Sequence, residues 1–162
     1  MMDNVESVYA LSPMQVDILL RTLQAPGLHE YVEQATWTLR GPFDPAAFAA
    51  AWRNAAARHP VLRTAFYHQG LDHPVQVVRR GVEVPILAGD WRGASPAEQE
   101  ERWRRLLRDE RERDFDLGAA PLLRVHQVRL ADDAYRFVLV YHHLLMDGWA
   151  AMLCVREVLE SY

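Results

Sequence analysis

The residue types best suited to chemistry lie together near the end of the chain, in the segment His142-His143-Leu144-Leu145-Met146-Asp147-Gly148. A histidine can transfer protons near neutral pH because its unperturbed pKa is about 6.5. Successive side chains of a strand point to opposite faces, so we expect one histidine ring to be buried and the other to face a cleft. Gly148 permits close approach of the backbone to a ligand, or a backbone angle that other residues avoid. The segment is therefore a candidate for proton-transfer chemistry.

The residues alone also leave other interpretations of this segment open. Two histidines and an aspartate are metal-ligand types, but strand alternation separates the rings and no third His or Cys lies nearby to complete a ligand set. A hydrolase with a Gly-x-Ser-x-Gly nucleophile elbow is disfavoured because the sequence has no such elbow. A His-x-x-x-Asp spacing is also typical of a core histidine followed by a capping aspartate. The context of the segment has to decide between these interpretations.

Composition limits the class of protein. The 162 residues are half hydrophobic and one quarter charged, as expected for one compact soluble domain. A net charge of −4 with mixed signs argues against a nucleic-acid partner, which needs a concentrated basic face. The Arg-rich stretch 102–113 alternates with acidic residues and is predicted to be a solvated helix face.

Cysteine content and hydropathy bear on the compartment. The single cysteine, Cys154, excludes an intrachain disulfide, fits a reducing compartment and is predicted to be a small core residue. No apolar run approaches the roughly 20 residues that a membrane span needs, and no signal peptide opens the chain. We therefore expect a cytoplasmic protein without membrane contact.

Helix start signals occur at four places. Ser12 and Ser95 each begin a capping box with proline in the first turn, at Ser12-Pro13-Met14-Gln15 and Ser95-Pro96-Ala97-Glu98. A third helix is predicted to start at Asp44-Pro45 and to stop before Pro60. A fourth runs from Trp149 to the end without a stop signal, so the chain looks cut from something longer.

Segments rich in β-branched and aromatic residues alternate with these helices. The predicted strands are Tyr31–Leu39, Leu62–Tyr67, Val75–Arg79, Val82–Leu87, Pro121–Leu130 and Ala134–His142. Hairpin-like pairs are mixed with helix-connected strands, which favours a mixed sheet. The predicted fold class is α+β, of the two-layer α/β sandwich type, with a mixed sheet packed by helices.

Three stretches occur in a characteristic order: Leu11-Ser12-Pro13-Met14-Gln15, then Arg58-His59-Pro60-Val61-Leu62-Arg63-Thr64-Ala65-Phe66, then the His-His-x-x-x-Asp-Gly segment. They resemble the first three motifs of nonribosomal peptide synthetase condensation domains, which belong to the chloramphenicol acetyltransferase-like superfamily. Smaller matches are Gln76-Val77-Val78, Asp90-Trp91, and Phe115-Asp116-Leu117 leading to Pro121-Leu122-Leu123-Arg124. The resemblance covers about Val5 to Tyr162. The sequences of the first and third motifs are most similar to those of the subtype that couples L-configured donors to L-configured acceptors.

The resemblance implies an acyltransferase activity. Condensation domains join a donor acyl or peptidyl thioester to the amine of an acceptor aminoacyl thioester. Each substrate is carried on the 4'-phosphopantetheine of a partner carrier domain, so no cofactor is expected to bind this chain directly. The implied partners are the donor and acceptor peptidyl carrier domains, an adjacent adenylation domain and a carboxy-terminal condensation lobe.

The resemblance also implies a role for each residue of the site. His143 matches the histidine that acts as base or as hydrogen-bond partner of the attacking amine, and the backbone at Gly148 faces the reacting groups. His142 supports the turn from the other face. Asp147 is implied to be structural and to pair with Arg63, and breaking a partly buried pair of this kind costs about 3–5 kcal/mol.

The resemblance covers one lobe of a two-lobed domain. Residues 1–8 are similar to the linker that follows an upstream carrier domain, and residues 9–162 correspond to the amino-terminal lobe. We expect the isolated lobe to fold, to have little condensation activity, and to expose an apolar patch where the second lobe would pack. Two alternatives stay open: a non-catalytic lobe that binds carrier or partner proteins, and a coenzyme A-dependent acyltransferase of the same superfamily.

Overall fold

The structure, a computed structural model, describes residues 4–25 and 27–162, so residues 1–3 of the linker-like start lie outside it. Helices and strands alternate along the described chain. Their order is β1 (Val5–Ala10), α1 (Pro13–Gln24), β2 (Val32–Arg40), α2 (Pro45–Arg58), a 3₁₀ turn (Pro60–Arg63), β3 (Thr64–Tyr67), β4 (Val75–Arg79), β5 (Ile86–Asp90), α3 (Pro96–Arg111), β6 (Leu123–Ala131), β7 (Ala134–His142) and α4 (Gly148–Ser161). The predicted combination of helices with a mixed sheet is confirmed.

The strands form two sheets. The larger sheet has the order β2-β7-β6-β5 and is mixed, because β5 runs parallel to β6 while the other neighbours are antiparallel. The smaller sheet has the order β1-β4-β3 and is wholly antiparallel. Only the larger one corresponds to the mixed sheet that the sequence predicts.

Strand β1 contains residues predicted from the sequence to belong to the linker-like start. Val5 to Val8 pair with β4, with Val5 opposite Arg79 and Val8 opposite Val77. This pairing satisfies backbone groups that a linker would leave to water. Residues 5–8 are therefore part of the folded lobe, which corrects their assignment as linker.

Local signals locate most of the helix ends. In α1, the Ser12 hydroxyl accepts a hydrogen bond from the Gln15 amide at 3.2 Å, and the Gln15 side chain accepts one from the Ser12 amide at 2.9 Å. The same reciprocal box begins α3 at Ser95, and the Asp44 carboxylate caps α2. The sequence predicts a strand at Val82–Leu87, whereas β5 spans Ile86–Asp90. It begins after Pro85 because proline has no amide hydrogen to donate to a neighbouring strand.

The larger sheet separates two hydrophobic cores. Along β7, Phe137, Leu139 and Tyr141 face the main core, which contains the buried sides of α1, α2 and α4. Val138 and Val140 face a smaller core formed with α3. The alternation of β7 thus serves both cores, and the strand is buried along almost its entire length.

Arg63 ties the smaller sheet to helix α2. Its guanidinium donates to the carboxylate of Glu6 in β1 at 2.7 Å, to the carbonyl of Arg79 in β4 at 2.7 Å, and to the carbonyl of Ala56 in α2 at 2.7 Å. Asp147 instead lies exposed at the start of α4, where its carboxylate accepts the Ala150 amide at 2.8 Å.

The expected ion pair between Arg63 and Asp147 is therefore wrong for this structure. Glu6 reaches Arg63 because β1 runs alongside β4, and α4 offers Asp147 amide groups that lack partners within the helix. Both residues are structural, but they stabilise different parts of the lobe.

A double-mutant cycle distinguishes the two pairings. Arg63→Met combined with Glu6→Gln is expected to lose less stability than the two single variants summed, because the residues share one interaction. Arg63→Met combined with Asp147→Ala is expected to be additive, with Asp147→Ala costing about 1 kcal/mol as a lost helix cap. Urea unfolding followed by tryptophan fluorescence measures all these variants. Coupling of Arg63 to Asp147 in place of Glu6 would contradict the structure.

Candidate active site

The His142–His143 turn is held by backbone bonds from both neighbours of β7. The His142 amide donates to the carbonyl of Leu122 at 3.0 Å, just before β6. The His143 amide donates to the carbonyl of Tyr31 at 2.9 Å, just before β2. The turn closes where the Leu145 amide donates to the His142 carbonyl at 3.0 Å. These three bonds hold the backbone of the turn, and contacts of the rings add to them.

His142 is buried, with 3% of its surface exposed. Its Nδ1 atom accepts a hydrogen bond from the Leu144 amide at 3.2 Å, so the proton of the neutral ring is on Nε2. Burial, and secondarily repulsion by His143, lowers the pKa of His142 to about 4, while Asp114 acts weakly in the opposite direction. His142 is therefore a neutral ring that shapes the turn at pH 7.

His143 is half-buried, and its ring lies nearly parallel to that of Tyr31, with the centroids 6.3 Å apart and the planes at 9°. Among the described residues, its buried Nδ1 atom has no hydrogen-bond partner. One histidine ring of the segment is thus enclosed, while the other is only partly buried.

Gly148 is the first residue of α4 and is exposed. A Cβ atom added there would meet no atom within 4 Å, and its φ is not among the positive glycine values of the chain. Neither backbone strain nor packing within the lobe requires a glycine at this position. Close approach of a ligand to the backbone is the remaining reason, and it stays a prediction.

A cavity of about 170 Å³ lies behind the turn, and His142, Tyr31 and Phe115 line it together with the loops that follow α1 and α3. His29 and Asp114 bridge these loops, with His29 Nδ1 2.7 Å from the Asp114 carboxylate. His142 is one of the residues that line this cavity, and His143 is not.

The structure brings several further residues to the site. Tyr31 lies beside His143, and the ring of Phe115 meets that of His142 edge to face at 6.4 Å. Behind Phe115 are buried Glu110 and His126, and Glu110 belongs to the stretch 102–113 that was predicted to be a solvated helix face. One signal existed: Glu110 follows the buried Trp103 by seven residues, which places both on one face of α3.

Other candidate chemistries find little support in the described part of the chain. Cys154 is buried, as predicted, and burial raises the pKa of its thiol to about 11, so it is not a thiolate at neutral pH. Residues 4–25 and 27–162 contain no group of three or more His, Cys, Asp or Glu side chains that could hold a metal ion. Within the same residues, no helix has the length and apolarity to cross a bilayer.

The neutral state of His142 predicts a pH dependence of stability. Between pH 6.5 and about 4 the unfolded chain binds a proton at His142 that the folded chain does not, so stability falls as pH falls. From pH 7 to pH 4.5 the loss is about 2 kcal/mol, and His142→Gln should remove it while keeping an acceptor for the Leu144 amide. Urea unfolding at the two pH values measures this difference.

His73→Gln is the matched control for this experiment, because His73 is an exposed histidine outside the segment. Burial raises the pKa of Glu110, but contacts with His126 and Arg124 outweigh it and lower that pKa to about 2. The stability that ionised Glu110 contributes is therefore lost only below about pH 4.5, outside the pH range of this experiment. An unchanged pH response in His142→Gln would show that His142 does not stay neutral in the folded chain.

Comparison with known proteins agrees with this geometry. The family model of the condensation domain matches residues 5–162. The chain is 38% identical over 158 residues to one of the linear gramicidin synthase proteins of Brevibacillus parabrevis, covering 98% of this chain and 3% of that protein. It is 34% identical over 162 residues to bacitracin synthase 3 of Bacillus licheniformis, covering 100% of this chain and 2% of that protein.

A solved structure is also similar. The starter condensation domain of rhizomide synthetase superposes with a TM-score of 0.86 at 24% identity, over 97% of this chain and 39% of that one. This likeness supports the fold, and the matched length shows that the chain spans a small part of each relative. Because the family match covers nearly the whole chain, with the His-His-x-x-x-Asp-Gly segment inside it, the chain belongs to the condensation-domain family.

Proposed function

We propose that this chain is the amino-terminal lobe of a condensation domain that forms amide bonds, with His143 as its catalytic residue. The observation that carries the proposal is the different surroundings of the two histidines. His142 is enclosed, neutral and bonded to Leu144, whereas the ring of His143 directly after β7 is only half-buried, and its Nδ1 has no hydrogen-bond partner among the described residues. A purely structural pair would give no reason to leave one ring open.

The proposed reaction needs one nitrogen base and no covalent enzyme intermediate. The acceptor amine attacks the thioester carbonyl of the donor, a C–N bond forms, and the C–S bond breaks to release a thiol. The attacking nitrogen loses a proton, for which the ring of His143 is the proposed acceptor, and the leaving sulfur gains one. His143 acts either as this base or as the group that orients the amine. A general base typically raises the rate about 10²–10⁴-fold, and orientation can contribute as much or more.

The substrates would arrive on partner proteins. We infer that donor and acceptor carrier domains present them on phosphopantetheine arms, that an adenylation domain loads a carrier, and that the L-donor/L-acceptor subtype applies. Gly148 is compatible with this arrangement, because it is exposed and a Cβ atom added there would meet no atom of the described lobe within 4 Å. The phosphopantetheine belongs to the substrate, so this lobe is proposed to hold no cofactor of its own.

The lobe is proposed to provide one wall of the active-site channel. Exposed apolar side chains of α4, Trp149 and Met152, flank the site, and Met14 at the start of α1 is also exposed. Covering such surface is favourable at about 25 cal/mol per Å² of apolar area. We infer that the carboxy-terminal lobe of a complete domain completes the channel.

His143→Ala is the test of this function, in a complete condensation domain containing this lobe and supplied with loaded donor and acceptor carrier domains. We expect peptide-bond formation, measured by mass spectrometry of the acceptor carrier, to fall about 10²–10⁴-fold. His73→Ala is the matched control and should keep its rate, since His73 is exposed and outside the segment.

Two further arms of the experiment separate the alternatives. The chain alone should give no product, because the rest of the channel is missing. Full turnover by His143→Ala would favour a lobe that only binds carriers. Equal use of coenzyme A thioesters and carrier thioesters would favour the coenzyme A-dependent acyltransferase.

A further inference from the structure

A buried ion pair lies behind the site, in a stretch to which the proposed function assigns no role. Arg124 in β6 and Glu110 near the end of α3 are each only 6% exposed, and the Arg124 Nε atom contacts the Glu110 carboxylate. The same guanidinium donates to the carbonyl of Glu110 at 3.0 Å and to that of Arg113 at 2.8 Å. Arg124 therefore binds both the side chain and the main chain at the carboxyl end of α3.

The negative charge of Glu110 is well supported. His126 Nε2 lies 3.1 Å from its carboxylate, and Arg113 Nη1 lies 3.4 Å away. Although burial raises the pKa of Glu110, contacts with His126 and Arg124 outweigh it and lower the pKa to about 2. Glu110 is thus ionised at neutral pH, and neither partner of the buried pair can be removed without stranding a charge.

The pair is connected to the His142–His143 turn through one aromatic ring. The Arg124 guanidinium lies over the ring of Phe115, 4.2 Å from its centroid. Phe115 in turn meets the ring of His142 edge to face, at 6.4 Å and 85°. Because Arg124 also holds the nearby carbonyl of Arg113, both the backbone and the ring of this segment are restrained by the same guanidinium.

We propose that Arg124 and Glu110 are positioning residues for the His142–His143 turn, acting through Phe115. The Phe115 ring limits the rotation of His142, and His142 must keep its orientation to accept the Leu144 amide. If the ring moved away, His142 could turn, the Leu144 bond would be lost, and the backbone that carries His143 would shift. The value of this positioning for catalysis rests on the proposed function of His143.

The choice of arginine supports this role over simple packing. A buried ion pair is often no more stabilising than apolar residues of the same volume, so packing alone does not explain it. A planar guanidinium can bind a carboxylate and two carbonyls at its edge while its face covers an aromatic ring. A lysine ammonium has no flat face to hold the Phe115 ring, so it would keep the charge and lose the positioning.

The test compares Arg124→Met, Arg124→Lys and Phe115→Leu with the unchanged chain by NMR of the histidine ring nitrogens and of the Leu144 amide. Phe115→Leu breaks the connection while leaving Arg124 and Glu110 paired, so it decides the question even where an Arg124 variant does not fold. Arg136→Met is the matched control: Arg136 pairs with Glu100 of α3 at 2.8 Å and lies 4.4 Å from the Trp103 centroid, away from the turn.

The proposal expects one pattern across these variants. The unchanged chain and Arg136→Met should show His142 as the neutral tautomer protonated on Nε2, with the Leu144 amide bonded. Phe115→Leu and each Arg124 variant that folds should show mixed His142 tautomers and a displaced Leu144 amide signal. In the complete domain the same variants should lower kcat about 10- to 100-fold with KM unchanged, as misplacement of a reacting group does.

Two results would overturn the positioning role. One is a Phe115→Leu chain whose His142 tautomer and Leu144 amide match those of the unchanged chain. The other is an equal disturbance in Arg136→Met, which would show that any loss of an arginine bound to α3 has this effect. The NMR readout does not depend on turnover, so a His143→Ala domain that keeps its activity would contradict the proposed function and leave the positioning result intact.

Discussion

Pairing of strand β7 on both of its edges is the constraint on which the rest of the lobe depends. Each of its nine residues lies opposite a residue of β2, and most also lie opposite residues of β6. A shift by one residue would turn Phe137 and Leu139 out of the main core and bring Val138 and Val140 into it. Since both edges are occupied and both faces are buried, the register of β7 is fixed, and with it the side of the sheet on which each histidine lies.

Local signals in the sequence were sufficient to predict the parts of the fold that depend on neighbouring residues. The bounds of β7 and β4 follow from alternation and flanking turns, and the capping boxes at Ser12 and Ser95 begin helices as predicted. The second sheet was beyond such reasoning. Strand β1 forms only because β4 lies beside it, and β4 is distant in the sequence. Its short pattern resembles a linker until its partner is known.

The surroundings of the site likewise include features that the sequence predicts and features that depend on residues distant in the sequence. The order His142, His143, Asp147 marks the segment, and alternation predicts the buried ring of His142, while a cleft facing His143 stays a prediction. The spacing of Asp147 after the histidines is typical of a capping aspartate, and the structure shows that cap, whereas the pairing with Arg63 that the resemblance implied does not occur. Glu110 was missed for a different reason: in a run of alternating charges, only periodicity tells which carboxylate faces the sheet, and the apolar residues Trp103, Leu106 and Leu107 mark that face.

Two adjacent histidines raise an electrostatic problem that the fold resolves. If both rings carried a proton, two positive charges would sit side by side in a turn that is largely shielded from water. Burial of His142 and its bond from Leu144 keep that ring neutral, and a charge on His143 makes protonation of His142 still less favourable. In the proposed reaction His143 can therefore accept a proton without a second charge beside it. In that proposal, the residues that keep His142 enclosed help His143 to act by keeping a second positive charge away from it.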